Sequence, residues 1–95
     1  MSAYVIVDLE VTDSAGFETY RQQVPATLAR YCGRYIVRGG AAEALEGSWV
    51  PKRVVVIEFP DRAAAKAWWS SPEYSAPKAL RERTARTKLI VVDGI

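Results

Sequence analysis

Three charged side chains lie inside runs that are otherwise apolar. Asp8 sits in YVIVDLEV, Arg38 in YIVRGG and Glu58 in RVVVIEFPD. Side chains of a strand alternate between two faces. Val5, Val7 and Leu9 then oppose Ile6, Asp8 and Glu10, while Val55, Ile57 and Phe59 oppose Val56 and Glu58. Tyr35 and Val37 oppose Ile36 and Arg38. Phe59 leads into a helix, so its face is assigned to the helices and Asp8, Arg38 and Glu58 share the other. Buried charges are strongly disfavoured unless paired. A guanidinium can fork onto a carboxylate with two parallel hydrogen bonds. The trio is expected to form an Asp8–Arg38–Glu58 network that fixes barrel register and dimer pairing, or a polar floor for an anionic or carbonyl ligand, or else one of the three simply reaches solvent at a barrel end. Removing Arg38 would leave two carboxylates facing each other. A slip of one residue in strand pairing would reverse these faces.

Asp8, Arg38 and Glu58 are therefore the candidate catalytic residues. An enzyme needs a proton-transfer group beside its pocket. The chain has no histidine, so Asp8, Glu58, a tyrosine or a lysine would have to serve. If no carboxylate reaches the pocket, a non-catalytic ligand-binding or assembly domain becomes the better reading. The lack of histidine also removes the commonest zinc ligand and the usual haem ligand. Only one cysteine is present, Cys32, and no oxygen-ligand loop is visible. No metal and no cofactor are expected.

A second set of candidates is aromatic. Tyr20, Tyr31, Tyr35, Phe59, Trp68 and Tyr74 can gather between helices and sheet. They read either as plain core or as the wall of a small pocket, because tyrosine hydroxyls in a small core need partners. The ligand-binding candidates are Tyr20, Tyr35, Arg38, Trp68 and Tyr74. Trp69 reads as a surface or interface residue and Trp49 as an interface anchor.

These residues must be positioned by a small fold. The chain has 95 residues, 49% hydrophobic and 25% charged, with a net charge of +2. That is one ordinary globular domain, 1–95. Ala3–Val11 reads as a strand. Thr12, Asp13 and Ser14 offer helix caps, and Phe17, Tyr20, Val24, Leu28 and Tyr31 form one helical stripe. Pro25 is expected to kink that helix, and Gly33 to close it in the left-handed conformation. Cys32 is expected as a small buried hydrophobe. Residues 34–40, 52–59 and 87–95 read as further strands. RAAAKAWWSS follows a capping Asp61, and Ser71-Pro72 starts a last helix that Pro77 should make irregular. The order β-α-β-β-α-(α)-β is a ferredoxin-like α+β arrangement with a four-stranded antiparallel sheet.

Partners follow partly from charge. Lys78, Arg81, Arg83, Arg86 and Lys88 read as a solvated face. An RNA-binding sheet stacks bases on exposed rings, and RVVVIEF has none on its open face, so no nucleic acid is expected. No apolar stretch approaches the ~20 residues of a membrane span, and the N-terminus lacks the basic start of a signal peptide. A lone cysteine fits the cytoplasm. Ile6, Ile36, Val54 and Val56 leave an apolar sheet face open, which points to a homodimer.

The runs AYVIVDLEVTD, GRYIVRGG, PKRVVVIEFPD and SPEY, over nearly the whole chain, resemble the bacterial family catalogued as domain of unknown function 1330. The resemblance implies the dimeric α+β barrel superfamily, in which two ferredoxin-like sheets pair across a two-fold axis. It implies a pocket between helices and sheet. Relatives in that superfamily include small monooxygenases and muconolactone isomerases, and the family itself has no agreed reaction. With no histidine in the chain, a metal-free isomerase or cofactor-free oxygenase acting on a small aromatic or carbonyl compound is one expectation, and a non-catalytic small-ligand-binding or assembly domain is the other. Trp68 falls roughly where related haem-degrading enzymes carry a helix histidine, which argues against haem here.

Overall fold

Val5, Val7 and Leu9 are buried and Tyr4, Ile6 and Asp8 half-buried along the first strand, β1 (Ala3–Val11), in a computed structural model that describes every residue from Met1 to Ile95. The two-residue period is what one covered sheet face produces. Asp13 then caps α1 (Ser14–Ala29), its side chain accepting from the Gly16 amide at 3.2 Å. Phe17, Tyr20, Val24, Thr27 and Leu28 form the buried stripe. Pro25 lies on the exposed side, and the helix carries on through it without a break.

β2 (Arg34–Gly40) and β3 (Arg53–Phe59) follow, then α2 (Arg62–Trp69), α3 (Pro72–Thr84) and β4 (Ala85–Asp93). Asp61 caps α2 through the Ala64 amide at 2.7 Å. Ser71 caps α3 through the Tyr74 amide at 3.1 Å, with Pro72 at the start of the helix. α3 also continues through Pro77, which is buried. The sheet order is β2-β3-β1-β4 with every neighbour antiparallel. This is the ferredoxin-like α+β topology, with the helices packed over one face and Trp68, Tyr74, Phe59, Val5 and Val24 fully buried between the layers.

Local expectations are corrected in three places. β4 spans Ala85–Asp93 rather than residues 87–95, because it pairs along all of β1, from Val11↔Ala85 to Ala3↔Asp93. The left-handed residue after α1 is Cys32, with φ 61°, and not Gly33. That turn directs Cys32 outward, so its thiol is exposed instead of buried. Gly33 is required for space: a Cβ there would stand 2.6 Å from Cε1 of Phe59.

The third correction matters most. β2 does not keep simple alternation. Tyr35 pairs with Ile57, Val37 with Val56, Arg38 with Val55 and Gly40 with Val54, with two register shifts between them. Ile36 and Gly39 are the extra residues of two β-bulges, and Gly39 adopts φ 73°, which glycine tolerates best. Directly opposed residues of an antiparallel pair share a face. The first bulge therefore moves Arg38 onto the face of Val55, beneath the helices.

Candidate ligand-binding cavity

The three in-strand charges do not meet. Asp8 remains on the open face, where Oδ2 accepts from the Trp49 indole at 2.9 Å and Oδ1 from the Lys52 amide at 3.0 Å. These two bonds, Trp49 first, hold its carboxyl below the usual range. Asp8 thus ties the connection before β3 to the sheet through the Trp49 indole N–H, while Trp49 itself stays 57% exposed. Glu58 is on the same face but paired with Arg34, its cross-strand partner, at 2.7 Å. That hydrogen bond lowers the Glu58 pKa, and the Tyr4 hydroxyl donates to Oε2 at 3.3 Å. Along the sheet Asp8 and Glu58 lie about 13 Å apart, four residues at 3.3 Å each. Arg38 is on the opposite face with its guanidinium 4.7 Å over the Tyr35 ring. Its removal leaves no pair of carboxylates behind. In place of the expected network stand a β-bulge and Arg34, which begins β2 outside its apolar alternation.

The bulge delivers Arg38 to a cavity of about 120 Å³ between sheet and helices. Tyr20, Tyr35, Arg38, Trp68 and Tyr74 all line it, together with Val7, Leu9, Val55 and Ile57 of the sheet. α1 contributes Tyr20, α2 Trp68 and α3 Tyr74, so three helices and the sheet each supply part of the wall.

Trp68 and Tyr74 stand with ring centroids 4.1 Å apart. The Trp68 indole donates to Oγ1 of Thr27 at 3.0 Å, and that hydroxyl donates to the Val24 carbonyl at 2.7 Å. Trp68 therefore offers the cavity only its ring. The hydroxyls of Tyr20 and Tyr74 bond each other at 2.6 Å. Burial, followed by the neighbouring Tyr74, pushes the Tyr20 phenol far above its ordinary range. Burial also raises Tyr74, against the pull of the Arg81 guanidinium. Both phenols stay neutral, so they can donate hydrogen bonds but are poor bases.

The charged lining is one-sided. Arg21, Arg38, Arg53 and Arg81 border the cavity, and no aspartate or glutamate does. Neither Asp8 nor Glu58 reaches it. Arg81 corrects a further expectation: assigned to a solvated basic face, it is only 6% exposed. A signal was present in the spacing. Tyr74, Pro77, Arg81 and Thr84 recur at three and four residues and form the buried stripe of α3. No group of three or more His, Cys, Asp or Glu side chains stands close enough to hold a metal ion, and no helix is long and apolar enough to cross a membrane.

Comparison with known proteins fits this architecture. A sequence model of the family described as domain of unknown function (DUF1330) matches residues 2–95. No curated protein matches significantly. Among solved structures, a protein of unknown function from Rhodopseudomonas palustris is similar with a TM-score of 0.79 and 16% identity, covering 99% of this chain and 82% of that one. A dimeric ferredoxin-like protein of unknown function from Jannaschia sp. CCS1 gives 0.66 and 15%, covering 99% and 100%. SnoaB, a cofactor-independent oxygenase from Streptomyces nogalater, gives 0.65 and 13%, covering 99% and 93%. At these identities the likeness is one of fold.

Proposed function

The chain belongs to the DUF1330 family, and from that premise we propose that it binds a small aromatic or carbonyl compound in the cavity beneath its sheet, as one half of a homodimer. The observation that carries this reading is the cavity wall: apolar and aromatic side chains with a few convergent donors, the usual make-up of a small-molecule site. A binding role is favoured over catalysis by a protein base, because no carboxylate or histidine borders the cavity and both buried phenols remain neutral. The test is a thermal-shift screen of small phenols, lactones and aromatic acids. At a concentration one hundred times its dissociation constant, a true ligand stabilises by about 2.7 kcal/mol. A screen without a single shift removes the reading.

One observation supports a second reading, a cofactor-free oxygenase like the one named among the similar folds. A cavity rich in guanidinium groups lowers the pKa of a bound enol or phenol, so a substrate could ionise without a protein base. Ligands from the screen that provoke dioxygen consumption in metal-free buffer would move the assignment from binding to catalysis.

Pairing rests on the uncovered sheet face. Val37, Val56, Ile6 and Ile90 lie opposite one another across the four strands, forming an apolar row. Ile90 is 58% exposed and Val92 and Ile36 more than 40%. A face of this kind is normally covered by another surface, and a second copy is the cover we propose, the similar Jannaschia protein being dimeric. Light scattering at micromolar concentration is expected to give twice the 10.5 kDa chain mass. Ile90→Lys should return it to the single-chain mass without loss of helix signal, since the side chain is mostly outside the monomer core. A single-chain mass for the unaltered protein overturns the dimer. The exposed thiol of Cys32 fits a reducing compartment, and on that ground we place the protein in the cytoplasm.

A further inference from the structure

The cavity presents cations without a carboxylate. Four guanidinium groups border it, and only Arg21 has an ion-pair partner, Glu18 at 3.0 Å on the exposed side of α1. Arg38 and Arg53 lie over the rings of Tyr35 and Phe17, at 4.7 and 5.7 Å. Neither ring removes charge. Arg81 is the buried one, and its Nε has neither solvent contact nor a hydrogen-bond partner. It also borders a second cleft toward β4, where Glu82 lies, but the two form no ion pair. A guanidinium held this way is costly unless something supplies the missing charge.

A second donor stands beside it. Tyr20 and Tyr74 carry two hydroxyl protons, and their mutual bond uses one. The Arg81 guanidinium bears on the Tyr74 hydroxyl as a further donor and can accept nothing, so one phenol O–H has no acceptor. A neutral water can accept a hydrogen bond but cannot balance the charge. A ligand oxygen bearing negative charge does both, and it accepts from a guanidinium and a phenol together.

We infer that the cavity takes an anionic ligand, a small aromatic or enolic acid whose charged oxygen lies between Arg81 and the Tyr20–Tyr74 pair and whose apolar body lies against Trp68 and the sheet. This rests on the reading of the cavity as a ligand site and adds the charge, the orientation and the anchor. Arg21, Arg38 and Arg53 stand at the more exposed end and attract the anion from solution.

Matched pairs of acid and amide test it. Benzoate with benzamide, and salicylate with salicylamide, are titrated into the full chain and followed by tryptophan fluorescence and calorimetry. Each acid is expected to bind about tenfold or more tightly than its amide, the margin of a charge-assisted over a neutral hydrogen bond. Arg81→Met should erase that preference, while its thermal midpoint without ligand stays equal to or above that of the unaltered protein, because an unpaired buried charge has been removed. Arg81→Lys should retain part of the preference. Equal binding of acid and amide to the unaltered protein overturns the inference and leaves the ligand site intact. Failure of all four compounds, together with a blank phenol and lactone screen, removes the ligand site and the inference with it. A full preference for the acid in Arg81→Met overturns Arg81 as the anchor. A lower midpoint of ligand-free Arg81→Met means the guanidinium is satisfied within the fold, which also overturns it.

Discussion

Trp68→Ala is expected to destabilise the protein by about 3–5 kcal/mol, the range for deleting a large buried aromatic. Trp68 is 1% exposed and packs against Tyr74 on one side and Phe59, at 5.6 Å between centroids, on the other. Its indole also occupies Oγ1 of Thr27, a buried hydroxyl on α1. Alanine would remove the contact that joins α2 to both its neighbours and to the sheet. The space opened would merge with the existing cavity, so collapse around it is hindered and the cost should fall toward the upper end. A domain of this size holds only about 5–15 kcal/mol in total. The thermal midpoint should drop by roughly 12–40 °C at fixed protein concentration. Trp68→Phe should cost less, because a ring remains and Thr27 still donates to the Val24 carbonyl. A loss below about 1 kcal/mol in urea unfolding of Trp68→Ala would show that the indole is not part of the core's support.

Gly33→Ala is expected to destabilise by about 1–3 kcal/mol, the usual range for overpacking. The sign is the informative part. Where the backbone and surroundings permit alanine, replacing glycine stabilises by about 0.4–1 kcal/mol through the unfolded state. Gly33 lies outside the left-handed region, so the backbone would permit it. The surroundings do not. The new methyl would sit 2.6 and 2.9 Å from Cε1 and Cζ of Phe59 and 3.2 Å from Cδ2 of Leu28. Phe59 is 0% and Leu28 2% exposed, so neither ring nor branch has space to yield. Cys32→Gly, one residue earlier, is the control. Cys32 is exposed with φ 61°, where a side chain is strained, and glycine there should be neutral or mildly stabilising. If denaturant curves show Gly33→Ala gaining stability, the close packing of the α1–β2 turn on Phe59 is wrong.

Much of the cavity's lining is legible in the sequence. The aromatic members Tyr20, Trp68 and Tyr74 sit at core positions of their helices, and the same spacing that makes them core makes them neighbours. Arg81 obeyed that spacing too, counted from Tyr74, but its residue type outweighed its position in the reading. Arginine is seldom buried without a partner. The Tyr20–Tyr74 bond joins residues 54 apart, and nothing in either local stretch announces it.

The order of strands and helices, the helix starts at Asp61 and Ser71, and the covered faces of β1 and β3 were determined by sequence alone, while among Thr12, Asp13 and Ser14 the structure selects Asp13 as the first cap. Each depends on neighbours within one or two turns or on simple alternation, and those periods survive whatever packs outside them. The face of Arg38, the pairing of Glu58 with Arg34, the extent of β4 and the burial of Arg81 were decided only by tertiary structure. A β-bulge belongs to a pair of strands and not to one of them: β2 admits Ile36 and Gly39 as extra residues only because β3 offers one partner where β2 presents two. A single inserted residue reverses every side chain beyond it. That reversal took Arg38 from the side of Asp8 and Glu58 and set it under the helices, at the mouth of the cavity.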